Sequence, residues 1–201
     1  MLRELRRDFG ERPALAGLDL EVPAGATLAV LGPNGSGKTT LLRVLAGLLR
    51  PSGGEARVLG AGLPRESWML RGRVGFLGHR PFLYRDLSPR ENLTLSGRLH
   101  GIEREAAAKR IDEQLAAVGM EARADDPVAE LSAGMTQRIA ACVATLHEPE
   151  LLLLDEPDSN LDAQARELVG RMTGAAPGRT RVLVSHERER ALAGADLSLE
   201  L

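Results

Sequence analysis

Apolar residues in the first third of the chain form short runs that are typical of strands. Residues Leu15–Val22 alternate loosely between apolar and polar positions and end at the turn Pro23-Ala24-Gly25, which predicts a β-hairpin or meander at the start of the chain. The run Thr27–Leu31 lies between glycine-containing turns and has the composition of a buried strand. Further along, we predict a helix over Thr40–Leu49 and strands over Ala56–Leu59 and Val74–Leu77.

The middle of the chain is more polar and has helical spacing. A first helix is predicted after Ser88, a residue type that caps helices, with Pro89 in its first turn. A second is predicted over about Glu103–Val118, with Gly119 as its stop, and a third over Gln137–His147. The expected apolar faces are Leu93, Leu95 and Leu99 in the first helix, Ile111, Leu115 and Val118 in the second, and Ile139, Cys142, Val143 and Leu146 in the third.

The last part of the chain returns to alternating strands and helices. Leu151–Leu154 is a fully apolar strand, Asp162–Thr173 is predicted as a helix, and Arg181–Ser185 as the last buried strand. Strands that alternate with helices form parallel sheets. We therefore predict an α/β fold with a mostly parallel sheet, an antiparallel β region near the N-terminus and an inserted helical lobe at about residues 85–135.

The composition fits one globular domain and argues against several other classes of protein. The chain has 201 residues, of which 43% are hydrophobic, and needs no metal or disulfide for stability. Its net charge of −2 gives no general attraction to nucleic acid or to an anionic membrane. Cys142 is the one cysteine, and the sequence has neither a secretory leader nor an apolar run long enough to span a bilayer. We expect a soluble cytoplasmic protein with no direct membrane insertion and no nucleic-acid partner.

Residues Gly32–Thr39 fit the phosphate-loop pattern G-x-x-x-x-G-K-[ST]. The glycines let backbone N–H groups converge on phosphate oxygens, and the following helix presents its positive N-terminal end. Lys38 can reach the β- and γ-phosphates, and the Thr39 hydroxyl can ligate Mg²⁺. The alternative is a glycine-rich turn that happens to contain a lysine, but the apolar strand before it and the helix after it favour the phosphate loop.

Two acidic residues, Asp155 and Glu156, follow the apolar strand Leu151–Leu154. In an open parallel sheet, ligands bind beyond the carboxyl ends of the strands. Asp155 can hold Mg²⁺ there, directly or through water, and Glu156 can act as a general base on the attacking water. Taken alone, the pair could equally be solvated acids at a strand end. Together with the phosphate loop, they indicate nucleotide hydrolysis.

From about Phe9 to His186 the sequence resembles the nucleotide-binding subunits of ATP-binding cassette (ABC) transporters. Leu131-Ser132-Ala133-Gly134, which directly precedes the third predicted helix, resembles the family's signature L-S-G-G, and residues 159–162 resemble its D-loop. His186 resembles the switch histidine, and Phe9 stands where the family has an aromatic residue that stacks on adenine. Taken alone, Ser132 could be an ordinary helix cap and Phe9 a core residue. The resemblance implies a P-loop NTPase core in a single ABC ATPase domain over residues 1–201.

The resemblance also implies site residues, cofactors and partners. The catalytic residues would be Lys38, Glu156 and His186. ATP would be held by Phe9, Gly32, Pro33, Asn34, Gly35, Ser36, Gly37, Lys38, Thr39 and Thr40, and Mg²⁺ by Thr39 and Asp155. In an ATP-bound homodimer, Ser132, Ala133, Gly134 and Met135 would contact the ATP of the partner subunit, and the D-loop Ser159, Asn160, Leu161 and Asp162 would lie across the interface. Polytopic membrane subunits would hold the chain at the inner face of the cell membrane.

Some positions depart from the family pattern. His79 stands where a glutamine usually contacts Mg²⁺; a neutral imidazole can also ligate a metal, so His79 is a further candidate ligand. Ala133 replaces the first glycine of the signature, and Met135 replaces a glutamine, which weakens the expected closure of the dimer. The pair Gly78-His79, the signature and the small size resemble the haem-exporter subunit of cytochrome c biogenesis (CcmA-type), although Arg80 stands where that subgroup has glutamine.

Three functional hypotheses follow. The first is an ATP-hydrolysing motor subunit of a transporter, with haem export as the expected system or another small exporter as the alternative. The exposed partner surface would include Phe82-Leu83-Tyr84, unless these side chains close the core of the helical lobe. The second is a soluble ABC-type assembly ATPase, and the third is a nucleotide-binding module with little turnover, suggested by His79 and Met135.

Overall fold

The structure is a computed structural model that describes residues 1–79 and 81–201; Arg80 lies outside the described residues. The strands are β1 (Leu2–Phe9), β2 (Arg12–Leu20), β3 (Thr27–Leu31), β4 (Gly53–Val58), β5 (Ala61–Leu63), β6 (Val74–Leu77), β7 (Leu151–Asp155), β8 (Thr180–Val184) and β9 (Leu197–Glu200). The helices are α1 (Lys38–Leu45), α2 (Pro89–Leu99), α3 (Arg104–Ala117), α4 (Ala133–Thr145), α5 (Ala163–Thr173) and α6 (Arg188–Ala193). Over the described ranges, none of the helices has the length and apolarity required to span a bilayer.

The chain forms two compact units. The first consists of Met1–Phe76, Glu150–Glu156 and Ala175–Leu201, and the second of Leu77–Pro149 and Pro157–Gly174. One sheet has the strand order β2-β1-β4-β5 and antiparallel pairing; the other has the order β6-β7-β8-β3-β9, with β3 parallel to β8 and β9, and β7 parallel to β8. The predicted α/β fold with a mostly parallel sheet and an antiparallel region is confirmed.

The core of the first unit packs helix α1 against residues from both sheets. Leu41, Leu42 and Val44 of α1 are fully buried and belong to one apolar cluster with Leu5 of β1 and Leu153 of β7. Alternate residues of β3 point to opposite faces of the sheet, so that Leu28 and Val30 join this cluster while Ala29 and Leu31 join a smaller one with Ala191 of α6. All five residues of β3 and of β7 are buried, as expected for central strands covered on both faces.

The core of the second unit is made by facing helices. Its buried members are Leu93 of α2, Ile111 and Leu115 of α3, and Ile139, Cys142 and Leu146 on or just after α4. Burial raises the pKa of the Cys142 thiol to about 12. Since the thiolate is the nucleophilic form, this shift disfavours reactivity of Cys142, which packs in the core as its place on the predicted apolar face implies.

The predicted apolar face of α2 is wrong at Leu99, which is 77% exposed. Leu93 is buried, and the residue one turn later on its face of the helix is Gly97. Leu99, six positions after Leu93, lies on a different face. A Cβ at Gly97 would lie 3.4 Å from the Cβ of Ala107, so α2 and α3 are in contact at this position.

Two predicted helices also have wrong bounds. Helix α1 was expected over Thr40–Leu49 but ends at Leu45, because Gly47 adopts φ 71° and the Leu48 N–H donates to the Arg43 carbonyl in a Schellman-type stop. Helix α4 was expected to start at Gln137 but begins at Ala133. Three elements were missed: β5, α6 and β9, so that β8 is not the last strand of the sheet.

Candidate functional site

The phosphate loop connects β3 to α1 and can adopt its path only with glycine at two positions. Gly37, which caps α1, has φ 103°, and a Cβ there would lie 2.2 Å from the Ala14 carbonyl oxygen. Gly32 has φ 142°, and its Cβ would lie 2.5 Å from the Leu201 carbonyl oxygen. Both positions combine a backbone conformation suited to glycine with a close contact to backbone. The loop is therefore fixed by packing within the first unit.

Lys38 and Ser36 are the buried polar side chains of this loop. The Lys38 Nζ donates to the carbonyl oxygens of Gly32 at 2.7 Å and Pro33 at 2.8 Å, and the residue is only 6% exposed. The Ser36 Oγ is buried and has no hydrogen-bond partner among the described residues. A buried hydroxyl without a partner is costly, and a polyphosphate oxygen would supply an acceptor. The loop thus offers a phosphate group one cation, the Lys38 ammonium, and one hydroxyl without a partner among the described residues, that of Ser36.

Asp155 meets the loop at the carboxyl end of β7. Strand β8 lies between β3 and β7, yet the Thr39 Oγ1 reaches across to donate to the Asp155 Oδ2 at 2.8 Å. A hydroxyl and a carboxylate in contact form a small set of hard oxygen donors, which suits Mg²⁺. In the two described ranges no group of three or more His, Cys, Asp or Glu side chains could hold a metal ion.

Glu156 has an unusual backbone conformation, with φ 54°. Its N–H donates to the carbonyl of Val184, the last residue of β8, at 2.9 Å. Its carboxylate contacts the His186 Nε2, two residues after the end of β8. Non-glycine residues rarely adopt a positive φ, and those that do are concentrated at functional sites.

One cavity of about 270 Å³ brings most of these residues together. Its lining comes from β1, β2, the loop, the start of α1 and the end of β7, and consists of Phe9, Ala14, Asn34, Gly35, Gly37, Lys38, Thr39, Thr40, Asp155 and Glu156. Phe9 is 51% exposed, so that it is not a core residue. Ala14 was missed by sequence analysis, since nothing in the sequence marks an alanine of β2 as a neighbour of the loop.

The predicted signature and D-loop lie in the second unit and contact each other. Ser132 caps α4, and its Oγ accepts from the Met135 N–H at 3.2 Å, so Ala133, Gly134 and Met135 form the first turn of α4 rather than a loop before it. Asn160 has φ 62°, and Asp162 caps α5 by accepting from the Ala165 N–H. A Cβ at Gly134 would lie 2.7 Å from the Asn160 carbonyl oxygen.

Gly134→Ala is expected to lower the free energy of unfolding by about 1–3 kcal/mol, because the added methyl group requires the Asn160 backbone to move. The measurement is chemical denaturation followed by circular dichroism. Gly170→Ala is the matched control: Gly170 lies in α5 with nothing within 4 Å of its Cβ position, and alanine there is expected to be neutral or stabilising by up to about 1 kcal/mol. Equal stability of Gly134→Ala and the native chain would contradict the contact.

The remaining residues are placed as follows. His79 is exposed and belongs to the second unit, and Ser159 and Leu161 belong to the same unit, with Leu161 buried. Sequence analysis missed Gln137, which is buried and donates to the carbonyl of Pro157, the residue after Glu156. The signal that could have identified it is a polar residue on a buried helix face, because Gln137 is spaced i−3, i−4 and i−7 from the buried Ala140, Ala141 and Ala144.

Comparisons with known proteins place these features in a family. The sequence profile described as ABC transporter matches residues 15–159. The chain belongs to this family and is an ABC-type ATPase domain that binds ATP.

Individual relatives agree with this assignment. The chain is 38% identical over 192 residues to a Nod factor export ATP-binding protein I of Cupriavidus metallidurans, which covers 94% of this chain and 63% of that protein. It is 41% identical over 178 residues to the daunorubicin resistance ATP-binding protein DrrA3 of Streptomyces coeruleorubidus, covering 88% of this chain and 56% of that protein. The chain thus spans about three fifths of the length of these relatives.

A solved structure gives the same result at the level of the fold. It is the dimeric structure of a post-hydrolysis state of an ATP-binding cassette bound to ADP and Pi, with a TM-score of 0.87 and 26% identity, covering 100% of this chain and 93% of that one. None of the relatives named here is described as a haem exporter.

Proposed function

We propose that the chain hydrolyses ATP to drive export through an ABC transporter. The observation that supports this most directly is the single cavity that joins Lys38, the Thr39–Asp155 pair and Glu156. A cation, a set of oxygen donors for a metal and a carboxylate are the groups that phosphoryl transfer to water requires. Sheet topology and loop glycines hold them together without help from a ligand.

In this proposal each residue has one role. The loop N–H groups and Lys38 bind the phosphates, with the ammonium shifting from the Gly32 and Pro33 carbonyls to the β- and γ-phosphate oxygens. Thr39 and Asp155 would hold Mg²⁺, which when bound would offset the negative charge of the phosphates. Glu156 accepts the proton of the attacking water. His186, whose Nε2 contacts the Glu156 carboxylate, orients that carboxylate.

The proposed active form is a homodimer. Each subunit would place Ser132 and the first turn of α4 against the ATP bound to the other subunit, where the N–H groups and the positive end of the 13-residue helix favour an anion. The residues of the D-loop would lie across that interface. The dimeric cassette among the solved structures supports this arrangement.

The single-domain assignment over residues 1–201, with its helical subdomain at about 85–135, and the Mg²⁺ role of His79 remain predictions.

We further propose that membrane subunits dock on the segment that contains Phe82 and Tyr84. These two side chains are 70% and 63% exposed, whereas Leu83 between them packs against the core of the second unit. The Asn92 side chain fixes the Tyr84 backbone in two ways: its Oδ1 accepts from the Tyr84 N–H, and its Nδ2 donates to the Tyr84 carbonyl. Exposed aromatic side chains on a fixed backbone are typical of a protein contact. Docking there would place the chain at the inner face of the cell membrane.

The experiment is affinity purification of the tagged full chain from detergent-solubilised membranes of its source organism. The native chain is expected to retain a polytopic membrane protein, and Phe82→Asp to lose it while keeping its ATP affinity. Leu99→Asp is the matched control, since Leu99 is an equally exposed apolar residue of the same unit and should retain the partner. Retention by Phe82→Asp would reject this docking surface. Recovery of soluble proteins alone would instead favour an assembly ATPase.

For the exported substrate, the names of the relatives favour an exporter of the Nod factor or daunorubicin resistance type. Haem export, which rests on Gly78-His79 and the signature, is the second candidate. The same purification separates them. The recovered membrane subunit is reconstituted with the chain, and ATP turnover is measured with haem and with daunorubicin; stimulation by one of them identifies the class.

A further inference from the structure

Arg7 stacks on the aromatic ring that lines the candidate nucleotide cavity. Arg7 and Phe9 are two residues apart on β1, with an irregularity of the strand register between Arg7 and Asp8. The Arg7 guanidinium carbon lies 4.6 Å from the centroid of the Phe9 ring, and the Nη1 donates to the Arg50 carbonyl at 3.1 Å. The guanidinium is thereby tied to backbone at a point outside the loop. It forms a fixed support for a ring that is itself half exposed.

Phe9 contacts the Arg7 guanidinium and also lines the cavity. Phe9 lines the cavity, together with Lys38 and the other loop residues, whereas Arg7 does not. The Arg7 Nε is buried and has no hydrogen-bond partner among the described residues. The part of Phe9 that lines the cavity is half exposed and can take a flat group bound there.

We propose that Arg7 is a positioning residue for the base of the nucleotide. It holds the Phe9 ring in the orientation in which adenine stacks on the part of the ring that lines the cavity. A phenylalanine at an exposed strand end would otherwise sample several rotamers, and ordering it on binding would weaken affinity. The contact between cation and ring removes that loss beforehand. This inference rests on the proposed function, in which Phe9 stacks on adenine.

The test compares two ligands that differ in the base. Affinities of the native chain, Arg7→Gln and Phe9→Ala for the non-hydrolysable ATP analogue AMPPNP and for inorganic tripolyphosphate are measured by calorimetry with Mg²⁺. Arg7→Gln is expected to weaken AMPPNP binding by about two- to fivefold, the range of an exposed cation–π contact, and to leave tripolyphosphate binding unchanged. Arg6→Gln is the matched control, because Arg6 is a neighbouring arginine of β1 that pairs with Glu4 and should change neither affinity.

A double variant distinguishes positioning of the Phe9 ring by Arg7 from attraction of the nucleotide by the charge of Arg7. In the Phe9→Ala background, Arg7→Gln is expected to have no further effect on AMPPNP, because the ring through which it acts is gone. Equal weakening of tripolyphosphate, or a loss that persists without the ring, would mean that Arg7 attracts the nucleotide by its charge and would overturn the inference. If Phe9→Ala weakens AMPPNP and Arg7→Gln does not, the inference alone fails. Full affinity in Phe9→Ala rejects the adenine-stacking role itself.

Discussion

Glu156→Gln is expected to reduce ATP turnover by about 10²- to 10⁴-fold, the usual contribution of a general base. Glutamine keeps the shape of the side chain and can still contact His186, but its amide accepts no proton from water. ATP binding depends on the loop and Lys38 and should be retained. The variant is therefore expected to accumulate as an ATP-bound dimer. Steady-state phosphate release gives the turnover, and sedimentation velocity with and without MgATP gives the dimer.

The control for this variant is Glu150→Gln, which makes the same change of charge at the other end of β7. The Glu150 carboxylate pairs with Arg73, and this pairing lowers the pKa of the carboxyl. The pair is largely exposed, so its loss is expected to lower the free energy of unfolding by about 1 kcal/mol or less, with turnover unchanged. Native turnover in Glu156→Gln would show that the attacking water is activated elsewhere.

Lys38→Ala is expected to weaken ATP binding by about 10- to 100-fold, since each charge-assisted hydrogen bond to phosphate contributes about 1.5–3 kcal/mol. The ammonium is buried and already desolvated among loop carbonyls, so transfer to phosphate oxygens requires little further loss of water. Turnover should fall at least as much, because Lys38 also faces the charge that develops on the γ-phosphate. Equilibrium titration with a fluorescent ATP analogue measures the affinity.

The sequence contains one other lysine, which makes a clean control. Lys109 lies on α3, is 80% exposed at its side chain and faces Glu113 one turn away. Lys109→Ala should leave ATP affinity and turnover unchanged and affect stability by a few tenths of a kcal/mol at most. A similar loss of ATP affinity in both lysine variants would point to general charge rather than to the loop.

Local chemistry explains which elements the sequence predicts well. Strands β3 and β6 have the predicted bounds, because each is a short apolar run between turns. The loop and its contact between Thr39 and Asp155 follow from a pattern of glycines and from the rule that parallel strands present ligands at their carboxyl ends. The helix after Glu103 is correct to within one residue at each end, since its cap and its apolar face are both local signals.

Other features depend on partners distant in sequence. Strand β9 is short and mostly exposed. It forms because it can pair in parallel with β3, which lies more than 160 residues earlier in the chain. Helix α4 begins four residues before the predicted start, because Ser132 caps it in spite of Gly134 in the first turn. Ala14 and Arg7 join the site through pairing of β1 with β2 and through a side-chain stack, and neither leaves a pattern in the sequence.

The left-handed backbone conformation of Glu156 lowers the stability of the fold at the residue that carries the proposed catalytic carboxylate. A side chain with a Cβ costs about 1–2 kcal/mol in this conformation, which glycine would adopt without that cost. Selection for thermal stability alone would therefore favour glycine at position 156 and remove the proposed base. A chain that keeps glutamate there is less stable than its own fold permits, and the difference is a measure of how strongly the carboxylate is required.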